Sequence, residues 1–76
     1  MKRYWFKIQD DLIVDSKEVT EVPEGFIECE NTFGADTIYY KVEGTAITEV
    51  IGEAVHEAKA RERVDDFVSR LNKHLV

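Results

Sequence analysis

Few side chains in this 76-residue chain have the type and spacing to do chemistry. His56-Glu57 opens like the H-E-x-x-H pair of a zinc-protease helix, but the fourth position after His56 is Ala60, so the second ligand is missing. Cys29, His56 and His74 lack the paired spacing of a zinc site. Asp10, Asp11 and Asp15 gather carboxylates, yet Leu12-Ile13-Val14 supplies neither the oxygen ligands nor the glycine of a calcium loop. Turn chemistry accounts for these aspartates. The sequence contains no nucleophile motif and no glycine-rich phosphate loop. The expectation is a protein that is not an enzyme and uses no metal and no cofactor.

Charge is the stronger signal. Ten Lys and Arg against 16 Asp and Glu leave a net charge of −6, which disfavours non-specific attraction to nucleic acid or an anionic membrane. From Asp10 to Asp36 nine acids face Lys17 alone, a local charge of −8. Side chains at i and i+2 of a strand lie about 6–7 Å apart on one face. Glu28 and Glu30 so spaced would resemble, in scale, successive phosphates of a nucleic-acid strand. An anionic face of Asp10, Asp11, Asp15, Glu28 and Glu30, docking on a basic groove of a partner protein, is the expected binding surface.

Lys2-Arg3-Tyr4-Trp5-Phe6-Lys7 interleaves bases with aromatics, the ingredients of a stacking platform for single-stranded nucleic acid. Alternation turns Tyr4 and Phe6 inward and leaves Trp5 outward beside Lys7. Nucleic-acid binding through this strand is therefore the third reading, behind two protein-binding ones. Cys29 alternates with Glu28 and Glu30 and reads as a small core residue.

The elements that must position these groups follow from periodicity. Tyr4, Phe6 and Ile8 alternate with Trp5, Lys7 and Gln9, predicting a strand over 3–9. Asp10-Asp11 turns it into a hairpin with Leu12-Ile13-Val14. Residues 15–25 read as a loop closed by the turn signal Pro23-Glu24-Gly25. Phe26–Glu30 predicts a short strand, 31–36 a loop, and Thr37–Val42 a strong strand with Ile38, Tyr40 and Val42 facing the core. Glu43-Gly44 connects to a possible return strand over Thr45–Thr48, with Ile47 opposite Tyr40. From about Glu49 to Leu75 the abundance of Ala, Glu, Lys and Arg, with no proline, predicts one long helix. The fold class is α+β: a single domain over 1–76, mainly β over 1–50, with three to five antiparallel strands packed against a helix over 50–75.

That helix carries two apolar stripes that do not align. At 100° per residue, Ile47, Ile51, Ala54, Val55 and Ala58 fall within about 80° of one another, whereas Ala60, Val64, Phe67, Val68, Leu71 and Leu75 cluster about 150° away. A straight helix of 26 residues would also run about 39 Å, longer than so small a domain is wide. Either the chain bends near residue 60 and returns the second stripe to the same sheet, or Val64, Phe67, Val68, Leu71 and Leu75 form an interface with another chain, or the segment is not one helix throughout. The second possibility makes a homodimeric assembly protein the runner-up function.

One cysteine and no run of more than three apolar residues suggest a soluble, unprocessed cytoplasmic protein without a membrane span. The profile is similar in type to small phage or mobile-element proteins that inhibit host nucleic-acid enzymes, including restriction and CRISPR systems. The likeness rests on size, acidity and the lack of motifs; it transfers no residues. It implies a host nucleic-acid-binding protein as partner and the host cytoplasm as location.

Overall fold

Strand β1 (Lys2–Gln9) takes the predicted alternation: Tyr4, Phe6 and Ile8 are buried while Lys7 and Gln9 are exposed. The computed structural model describes residues 2–29 and 38–75, with side-chain surroundings through Leu71. Asp10-Asp11 closes a two-residue hairpin, Gln9 facing Leu12, and β2 (Leu12–Val19) runs back along β1 as far as Arg3 opposite Val19. The loop expected from residue 15 onward is thus an outermost strand up to Val19. Such a strand needs no continuous apolar face, so its polar sequence carried no strand signal. A bulge between Lys7 and Ile8 of this ladder leaves Val14 as the extra residue.

Gly25 adopts φ +94° in the expected turn and leads into β3 (Ile27–Cys29). Strand β4 (Ile38–Glu43) follows. Glu30 and the predicted loop over 31–36 lie outside the described residues. Gly44, at φ +66°, turns β4 into β5 (Ala46–Ala54). The return strand is real but longer than expected, and its register differs: Val50 faces Tyr40 and Ile47 faces Val42. A bulge between Lys41 and Val42 sets Ile47 opposite Val42 on the core side; Ile47 is buried but Val42, next to last in β4, is 42% exposed, which corrects the placement of Val42 in the core. All pairings are antiparallel, in the order β2-β1-β5-β4-β3.

Helix α1 (Glu57–Leu75) begins after Val55-His56, where the His56 carbonyl accepts the Lys59 and Ala60 amides at 3.1 Å each. The predicted helix over 49–54 is therefore corrected to strand. The swap of apolar stripes marks this junction: the first stripe belongs largely to β5 and the second is the sheet-facing side of α1. Ala60, Val64 and Val68 join Tyr4, Phe6, Ile8, Ile38, Ile47, Val50 and Ala54 in one core, with Phe67 and Leu71 packed against it. Nineteen helical residues span about 28 Å, within the 33 Å long axis of the molecule. Gly52 makes the close approach possible: a Cβ there would lie 3.0 Å from Val64 Cγ2.

Candidate functional site

Alternation on the central strand sends Val50 and the Gly52 position toward α1 and Ile51 to the helix-free face. Ile51 is nonetheless fully buried, because Trp5 and Tyr39 stand opposite it on the two neighbouring strands. Trp5 is held on both its polar and its ring side. Its Nε1 donates to Glu49 Oε1 at 2.8 Å, and the Lys17 ammonium sits 4.9 Å from the ring centroid. Glu49 also lies 3.8 Å from Lys41. Arg3 extends the same face, donating through Nη1 to the Thr20 carbonyl at 3.2 Å; its Nε, 3.8 Å from Glu53, is an ion pair too long to be a hydrogen bond. The face is a second, small core sealed by its own side chains. An indole already capped by Lys17 and tied to Glu49 offers a poor stacking surface for a base.

The predicted acidic residues do not converge. Asp10 and Asp11 form the hairpin tip, and Asp15 sits on β2 opposite Lys7. Glu28 is on β3, four strand spacings away at the other edge of the sheet, or about 19 Å. Glu30 lies outside the described residues. Of the nearby acids, Glu18 pairs with Lys2 at 3.4 Å. Among the described residues, Asp15 and Glu28 share the helix-free face but stand at its opposite edges, so the expected anionic surface is two separated groups rather than one cluster.

The predicted interface helix is corrected as well. Val64 is 0% and Val68 3% exposed in the chain's own core; Phe67 and Leu71 are partly buried, with the Phe67 ring 5.8 Å from that of Tyr40. Leu75 closes α1, and its side-chain surroundings lie outside the described residues. Among the described residues no group of three His, Cys, Asp or Glu is arranged to hold a metal, and no helix is long and apolar enough to cross a membrane.

What sequence reasoning missed is the extent of β2 beyond Val14. The strand is an outermost one of eight residues whose Leu12 and Val14 are 65% and 51% exposed, and such a strand presents backbone donors and acceptors outward. Its middle is anchored beneath the helix. Ser16 Oγ donates to Glu57 Oε1 at 2.7 Å, Arg61 Nη2 lies 3.4 Å from Ser16 Oγ, and the Arg61 guanidinium stands over the Phe6 ring at 5.9 Å. The Ser16 amide donates to the Asp15 carboxylate at 2.8 Å. Among the described residues the opposite edge, β3, has three residues and offers far less backbone. The signal that could have carried β2 past Val14 is the tight turn, because a two-residue hairpin sets the following residues antiparallel to β1 along its whole length. Compared with known proteins, the chain matches no family, no curated protein and no solved structure.

Proposed function

We propose that this protein is a non-enzymatic protein-binding module that receives its partner along the outer edge of β2. The observation that carries the reading is the exposure of Leu12 and Val14 on a full-length edge strand, flanked by Asp10, Asp11 and Asp15. Backbone pairing along such an edge supplies affinity and the flanking side chains supply selectivity. The chemistry fits a partner strand with apolar residues and basic neighbours. A cytoplasmic setting is part of the same proposal, resting on the single cysteine.

This reading replaces one acidic docking surface with an apolar edge rimmed by acid. An inhibitor that mimics a nucleic-acid strand would need its carboxylates in a continuous row, whereas Asp15 and Glu28 share the helix-free face but stand at its opposite edges, with Lys7 and Lys41 on strands between them. The test is affinity capture of a partner with wild type and with Val14→Lys, each verified as folded by circular dichroism. The expected result is a partner lost on Val14→Lys and kept on Glu28→Lys. Loss on Glu28→Lys alone would move the site to the β3 edge.

A further inference from the structure

We infer that a second copy of this chain can occupy the β2 edge, the two β2 strands pairing antiparallel about a twofold axis at Ser16 to give one continuous ten-stranded sheet. The inference rests on the edge reading above and names its partner. Its basis is the order of charges along the strand. Directly opposed residues of an antiparallel pair share a face. A twofold axis normal to the sheet keeps both helices on one side and requires some residue of β2 to oppose its own copy. With Asp15 at the axis two carboxylates meet, and with Lys17 at the axis two ammonium groups meet. With Ser16 at the axis each Asp15 faces the Lys17 of the other copy, twice over, and both are exposed on the helix-free face.

The local structure suits this register. An edge lysine ordinarily protects a sheet from self-pairing, but here the residue two positions before it carries the opposite charge and neutralises it in one alignment only. The bulge at Val14 bends the strand and limits the ladder to about five residues of each copy, Val14 to Glu18. In the single chain the Asp15 carboxylate accepts the Ser16 amide. On pairing, the carboxylate turns to Lys17 of the second copy, and the Ser16 amide lies at the axis, available to the facing strand. On the other face, the Ser16–Glu57–Arg61 cluster of each copy flanks the same axis.

Sedimentation of wild type, Asp15→Lys and Lys17→Asp decides the matter, with folding of each checked by circular dichroism. Wild type should show a concentration-dependent dimer. Each variant opposes like charges twice and should weaken self-association by about tenfold or more. An equimolar mixture of the two variants restores both opposite-charge pairs and should dimerise as wild type does. A wild type monomeric to high micromolar concentration, or variants that dimerise as tightly as wild type, overturns the inference. If wild type is monomeric yet Val14→Lys still loses a captured partner, the edge reading survives and only the identity of the occupant falls. If neither holds, both fall.

Discussion

Asp10 and Asp11 hold φ of 51° and 65°, the left-handed region that side chains other than Gly, Asn and Asp rarely enter. A two-residue hairpin loop with both residues left-handed matches the right-handed twist of its strands, and Asn-Gly is the pairing it favours. Placing two carboxylates there also brings like charges together. Asp11→Gly should therefore stabilise the protein by about 0.5–1 kcal/mol, and a chemical-denaturation midpoint that rises with an unchanged slope is the measurement. A fall would show that one carboxylate has a stabilising partner worth more than the strain.

Between elements, the closest contact is that of β5 with α1 at Gly52. Val64 is fully buried and β-branched, so it has little room to yield to an added methyl group at 3.0 Å. Gly52→Ala should cost about 1–2 kcal/mol, and Val64→Ala should cost less in that background than in wild type. A double-mutant cycle by equilibrium unfolding reads the coupling; additive effects would mean that α1 shifts away freely. The same strand explains where the sequence was legible and where it was not. Hairpin β1–β2 announced itself through strict alternation and an aspartate turn. Strand β5 announced only its start, because beyond it Val50 and Ile51 are both fully buried, one under α1 and the other under Trp5 and Tyr39. A strand covered on both faces loses its period of two, and Ile47, Ile51 and Ala54 then fall at helical spacing. The helix start was equally silent, since His56 stands where Ser, Thr, Asp or Asn would signal a cap. Only the 150° jump between stripes recorded the change from strand to helix. The candidate site was less legible still: the acids were visible, but which edge each would occupy depends on strand order, which no local pattern encodes.

Across the whole molecule, β1 and β5 form the pair that joins the two hairpins; like β4, each is bonded on both sides, while β2 and β3 lie at the rims. Backbone amides of β1 and β5 should exchange slowest with solvent, those of β3 fastest among the strands, with α1 most protected around Val64 and Val68. Hydrogen exchange by NMR checks the ranking; uniform protection would mean that the domain opens only as a unit. The arrangement of the β1–β5 pair has a further consequence for how the chain reaches this state. Strands β1 and β2 meet through a two-residue turn, and β4 and β5 through a similarly short one, so each hairpin can close early. Their union is different, because Lys7 pairs with Glu49 and the whole intervening chain must first be gathered into a loop. Docking of two preformed hairpins along the β1–β5 seam is then the slow event. Until it occurs, Phe6 and Val50 stand bare and the chain has four open strand edges rather than two. Its folding speed and its susceptibility to aggregation are governed by the same seam.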